Sequence, residues 1–183
     1  MSTAIEHSFG ARVSAVVRRL PDQVAVVALA LVGIVISSYL TVEHYAKIPL
    51  FCSTTGLVNC SSVLTSQYSV VPGTNLPITI PGLIWFGMSG GLATWGLIGA
   101  WRDQPEPAWL RQAQQGWGAL GLLTVLYLVS VEIDQVHHLC EWCTVVHLAV
   151  LATLLISIYY RDLGGKRAYA SRATLAQRTK TAR

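Results

Sequence analysis

Residues Val24–Val42 read VAVVALALVGIVISSYLTV, 19 positions without a charge, and that run decides the class of fold. An α-helix rises about 1.5 Å per residue, so about 20 mostly apolar residues cross the hydrocarbon of a bilayer. Three more runs reach that length: Ile78–Trp101 with 24 residues, Gln112–Val131 with 20 behind a polar first turn, and Trp142–Tyr160 with 19. They are continuous rather than alternating segments of about ten residues, which excludes a membrane β-barrel. Composition agrees. Of 183 residues, 52% are apolar and 12% charged, and mean hydropathy is +0.49, whereas a soluble domain carries about 25% charged residues. Neither a water-soluble globule nor a disordered chain fits. The expected fold is all-α integral membrane: a four-transmembrane-helix bundle over residues 21–160, with a cytoplasmic segment 1–20 before it and a basic cytoplasmic tail 161–183 after it.

The first run is read as a retained span. Arg12, Arg18 and Arg19 precede it as they would precede a signal peptide, but it exceeds a signal core of about 7 to 15 residues. No small-x-small cleavage site follows it before Glu43 and His44. Those three arginines, Arg102 and Arg111 between spans two and three, and seven cations from Arg161 to Arg183 share one side of a four-span chain. Lys47 stands alone on the other. A 12-to-1 split predicts that both termini are cytoplasmic. The net charge of +4 and pI near 9.0 therefore mark a membrane flank rather than a nucleic-acid surface, since no aromatic-basic platform accompanies them.

The 43–77 connection is too long for a tight turn and is expected to form an ordered outer cap. Within it Ser61–Tyr68 is expected to be a short helix that turns Val63, Leu64 and Tyr68 toward the bundle mouth. Span two carries Gly82, Gly87, Ser89, Gly90, Gly91, Gly96 and Gly99, all attributed to close helix packing in lipid. Ser37, Ser38 and Thr41 in span one are read as helix glue without chemistry. Trp85, Trp95, Trp101, Trp109 and Trp117 are read as interface anchors or packing.

Cys52, Cys60, Cys140 and Cys143 all fall on the outer face in this topology, where disulfides persist. Cys140-Glu141-Trp142-Cys143 is a CxxC opening the fourth span. A helix N-terminus favours a thiolate, and a vicinal pair closes a strained, exchangeable ring. Three residues of helix set Cys143 about 4.5 Å deeper than Cys140, so the shallower sulfur can meet the loop and the deeper one something dissolved in lipid. Trp142 shields the pair, flanks a ring or anchors the helix. Two other readings use the same residues. Structural staples would explain four cysteines, but a CxxC ring closes too short a loop to stabilise much. Alternatively, Cys140, Cys143, His137 and His138 have the ligand types for Zn or Cu, making a non-enzymatic metal-binding or transport subunit; Cys52 and Cys60, eight apart, do not supply a matching second half.

Cysteines eight apart in the first outer loop, Cys60-Ser61-Ser62-Val63-Leu64-Thr65-Ser66, and a CxxC opening the last span together resemble bacterial homologues of vitamin K epoxide reductase. The likeness covers roughly residues 20–160. It implies a membrane thiol:quinone oxidoreductase whose four-helix bundle encloses a quinone and which reoxidises a periplasmic thioredoxin-like (DsbA-like) donor, supporting disulfide bond formation. Likeness to actinobacterial members implies menaquinone. With only 23 residues after Tyr160, the donor is expected to be a separate chain rather than a fused domain. By resemblance, the donor thiolate attacks the Cys52–Cys60 disulfide at Cys52, Cys60 then attacks Cys140, and Cys143 is released to reduce the quinone. Ser66, six after Cys60, matches the family's loop hydroxyl near the quinone, and Glu132, eight before Cys140, matches an acidic or amide position of the third span. His147 shares a helical face with Cys143 and is assigned a hydrogen bond or proton for the quinone; packing or snorkelling is the other reading. Animal members carry Tyr at the His147 position and Asn near Ile78, so quinone reduction rather than epoxide reduction is expected.

Overall fold

The computed structural model describes residues 20–46, 51–52 and 56–160, together with Val13, Ser14 and Val17. Most of the 1–20 segment, Lys47 and the whole 161–183 tail, which hold most of the cations that set the orientation, lie outside the described residues. Among the described residues from 20 onward, five α-helices follow in order: α1 Pro21–Ala46, α2 Cys60–Leu64, α3 Thr79–Trp101, α4 Ala108–Val131 and α5 Glu141–Tyr160. The four long ones are each long and apolar enough to cross a membrane. No strand occurs among the described residues, and the two β-bridges are isolated. The chain is a multi-pass membrane protein with an all-α four-span bundle. Its periphery exposes Leu31, Val35, Ile84, Leu123 and Leu148, the reverse of a surface built for water.

Each long helix runs near its expected bounds. Pro21 opens α1 at a position where its missing N–H costs nothing, and Asp22 sits on the positive end of the helix dipole. Without a hydrophobic drive in lipid, close approach holds helices together. A Cβ on Gly33 of α1 would collide with the Phe86 ring of α3, and one on Gly90 would lie 3.1 Å from Ala30. Gly118 meets Leu154 across α4 and α5, and Gly121 receives Trp85. The Trp85 indole donates to the Trp117 carbonyl and the Trp117 indole to the Trp85 carbonyl, both at 3.1 Å. These two tryptophans thus tie α3 to α4. Packing does not explain every glycine of span two, however: Gly87, Gly91 and Gly99 face open space.

The end of the bundle away from the cysteines is held by polar bonds. Arg111 bridges Asp22 at 3.0 Å and also pairs with Glu106 at 2.6 Å. Gln23, almost fully buried, donates to Glu106 at 2.8 Å and exchanges bonds with Gln114.

At the other end the 43–77 connection forms the cap. The expected Ser61–Tyr68 helix is instead two pieces, α2 and a 3-10 turn at Gln67–Ser69. Hydroxyls cause the break. Thr65 donates to the Ser61 carbonyl at 2.8 Å and Ser66 to Val63 at 2.7 Å, while Ser69 donates to Ser66 at 2.8 Å. Such local bonds compete with helix continuation. Leu64 still packs on Ile36 and Leu40, and Tyr68 reaches Gln135 at 3.3 Å. A turn with Gly73 at φ 79° then returns the chain to α3.

Candidate functional site

The site is assembled where α4 ends. Its last turn continues as a π-helical turn, Glu132–Val136, and stops at His137 in the left-handed conformation, φ 57° and ψ 22°. The His137 ring Nδ1–H donates to the Ile133 carbonyl at 2.9 Å, replacing a bond that the reversal breaks. The reversed chain then meets the cap. Leu139 donates its N–H to Leu57 at 2.8 Å, and Asn59 donates to Leu139 at 3.0 Å, with Val58 bridging Leu139 in parallel. The next residue in each segment is a cysteine that opens a helix: Cys60 begins α2 and Cys140 precedes α5. Both are about 1% exposed or less. Cys60 is bonded to Cys52 with a Cα–Cα distance of 6.2 Å, whereas Cys140 and Cys143 are free thiols.

Cys140 is the N-cap of α5. Its carbonyl accepts the first helical bond from Thr144 at 2.9 Å, and its sulfur accepts the Cys143 backbone N–H at 3.4 Å, the bond a capping side chain makes to the third residue of a helix. The Cys140 thiol is held below the ordinary cysteine range. The Cys143 side chain does most of this, with backbone N–H groups of Cys143 and Trp142 adding to it, against burial and the Glu132 carboxylate.

Cys143, one turn deeper, faces elsewhere. It lines an open-sided cavity of about 400 Å³ between α1, α3, α4 and α5, with Trp85, Phe86, Trp117 and Leu128 among its walls and His147 beside it. A smaller void of about 50 Å³ adjoins it and shares Cys143, His147, Ile78, Thr79 and Leu128. Ser66 and Glu132 line the smaller void, not the larger one. The Ser66 hydrogen is spent on the Val63 carbonyl, so only its lone pairs remain. Glu132 is 5% exposed and takes the Cys140 backbone N–H. Cys52, Cys60 and Cys140 line neither space. The His147 ring has no hydrogen-bond partner among the described residues, an unusual state for a half-buried polar ring.

Sequence reading missed Thr79, whose available signal is a lone hydroxyl in the first turn of an apolar span. Thr79 lines both spaces, and its Oγ1 lies 2.6 Å from that of Thr41. Because Thr41 donates its hydrogen to the Ser37 carbonyl at 2.7 Å, Thr79 is the donor of the pair and offers the cavity lone pairs. Ile78 adds no polar group. For the metal reading the geometry gives no support: no three His, Cys, Asp or Glu side chains gather among the described residues, and His137 is committed to Ile133.

The model of the vitamin K epoxide reductase family matches residues 24–158 of the chain. The chain belongs to the vitamin K epoxide reductase family. No curated protein matches it. Membership makes the protein a membrane oxidoreductase of a family that uses quinones, and the cavity suits such a ligand. A quinone head is a flat apolar ring with two hydrogen-bond acceptors. The larger space offers apolar and indole walls, one thiol and one unpartnered imidazole, and its volume lies within the range of small-molecule sites.

Proposed function

We propose that this family member is a thiol:quinone oxidoreductase that takes electrons from a separate thioredoxin-like (DsbA-like) protein outside a bacterial inner membrane, with menaquinone as acceptor. The observation that carries this reading is the division of the CxxC between two surroundings. Cys140 caps α5 beside the segment that carries Cys60, while Cys143 opens on the apolar cavity. One pair of sulfurs therefore connects a solvent-side disulfide to a lipid-side pocket.

The donor thiolate attacks Cys52, which is more exposed than Cys60, and the second donor thiol resolves the mixed disulfide, leaving Cys52 and Cys60 as thiols. Cys60 attacks Cys140 of the Cys140–Cys143 disulfide. The electron pair of the broken bond leaves on Cys143, which faces the cavity. Cys52 then attacks Cys60, re-forming Cys52–Cys60 and leaving the second thiol at Cys140. The arrangement with Cys52–Cys60 bonded and both CxxC sulfurs free is the one that stands at the end of that exchange. A bound quinone supplies the two-electron acceptor. A ring N–H of His147 would donate to a quinone oxygen, and Thr79, left with lone pairs alone, would accept only from the hydroxyl of the quinol product, while the apolar walls hold the ring. Glu132 and Ser66 border the smaller void, on the side of the cap. Anaerobic mixing of purified protein with a reduced DsbA-like donor and menaquinone tests the reading. One quinol should form for each pair of donor thiols oxidised; donor oxidation without quinol, or stoichiometric bound metal with no turnover, contradicts it.

A further inference from the structure

Trp142 stands inside the CxxC yet lines neither space next to Cys143. Its indole N–H instead donates to the backbone carbonyl of Phe51 at 2.9 Å, the residue before Cys52. The Phe51 N–H reaches the Tyr39 hydroxyl at 3.4 Å, and the Tyr39 and Trp142 rings meet edge to face with centroids 5.6 Å apart. Both backbone polar groups of Phe51 are thereby held, one by α1 and one by α5, and its side chain is left 89% exposed. Tyr39 and Trp142 in turn rest on Ile36, Leu40 and Leu64. The outcome is a clasp that fixes the chain just ahead of Cys52 to the first turn of α5.

We propose that Trp142 is a positioning residue for exchange between the two cysteine pairs, its indole holding the Phe51 carbonyl, and with it Cys52, at the mouth of α5 while Cys60 changes partner. This rests on the relay described above and adds a part to it. While Cys52–Cys60 is closed, the disulfide itself keeps Cys52 near Cys60. Once it is opened by a donor dithiol, Cys60 bonds to Cys140 as the Cys140–Cys143 bond breaks, and Cys52 must then return to attack Cys60 and displace Cys140 as a thiolate. Two electrons have moved from one pair to the other, and the clasp persists through the interval when the disulfide tether is gone. Holding reacting groups in place is worth orders of magnitude in rate, and a misplacement of about 1 Å costs about a hundredfold.

The test uses the full chain, quinone-free and oxidised at both pairs. One equivalent of dithiothreitol is added, samples are quenched with N-ethylmaleimide over time, and the labelled cysteines are mapped. In the native protein the label should pass from Cys52 and Cys60 to Cys140 and Cys143. In W142F, which keeps an aromatic ring but lacks the indole N–H, that passage should be about ten- to a hundredfold slower, with a smaller delay in Y39F. Separately, W142F reduced beforehand at all four cysteines should reduce menaquinone in a single turnover at the native rate. Native transfer kinetics in W142F, or equal slowing of transfer and quinone reduction, would overturn the positioning role. Absence of transfer in the native protein would instead overturn the relay, and the clasp's role with it.

Discussion

At the scale of single residues, the chemistry depends on what each sulfur or ring faces. Cys140 and Cys143 are three apart, yet one is sealed at a helix start and the other lines a cavity. His147 lies a turn below Cys143 on the same wall with no protein partner among the described residues, so its hydrogen-bonding capacity is free for a ligand oxygen. Loss of a hydrogen bond to a charged group costs about 1.5 to 3 kcal/mol, or about ten- to a hundredfold in rate. His147→Phe is expected to slow quinone reduction by that factor while leaving single-turnover donor oxidation at Cys52 and Cys60 intact. His147→Tyr, which restores a donor, should recover part of the loss. Equal quinone kinetics in native protein and His147→Phe would mean that the ring only packs.

At the scale of elements, the start of α5 joins fold stability to redox chemistry, because the sulfur that exchanges is also the sulfur that caps. In the state with both CxxC thiols free, Cys140→Ala should lower stability by about 1 kcal/mol, the usual cost of a lost cap. Cys140→Ser should retain most of it. The pH dependence has a definite sign. A thiol held below its ordinary value stabilises the fold fully above the unfolded value of about 8.5, and that contribution fades as pH falls through the lowered folded value. Thermal unfolding of native protein against Cys140→Ser should therefore show a gap that widens in favour of the native protein as pH rises between those two values. A gap that narrows over that interval would contradict a lowered Cys140. The sequence made this helix start legible, since a CxxC ahead of an apolar run announces both the span and the thiolate. It did not make the cap of the outer loop legible: serine and threonine hydroxyls that split Ser61–Tyr68 act through bonds to nearby carbonyls, which apolar periodicity does not register.

At the scale of the whole molecule, four apolar runs sufficed to define the bundle because length and hydrophobicity dictate spans in lipid. Pairing of helices was less legible. Gly33 and Gly121 matter through a ring on another helix, Phe86 and Trp85 respectively, and no local pattern marks them apart from Gly87 or Gly91, which face open space. Thr79 escaped notice for a similar reason, since its partner Thr41 is 38 residues away. The orientation prediction rests on the cation split. Impermeant maleimide should label reduced Cys52 from outside intact cells, and a cysteine placed at Ala168 should react only after lysis; outside labelling at 168 would contradict four spans with cytoplasmic ends. The most direct measurement of the relay is the fate of Cys143→Ala. With the cavity-facing sulfur gone, the Cys140 thiolate can attack Cys60 and release Cys52, only Cys52 can reverse that step, and Cys140 has no partner sulfur through which to pass electrons to the quinone. Alkylation followed by non-reducing peptide mapping should find a Cys60–Cys140 bridge with Cys52 as the labelled thiol, in exchange with the Cys52–Cys60 disulfide, and quinone reduction should be abolished. Native quinone turnover by Cys143→Ala, without that bridge, would contradict the order of the sulfurs.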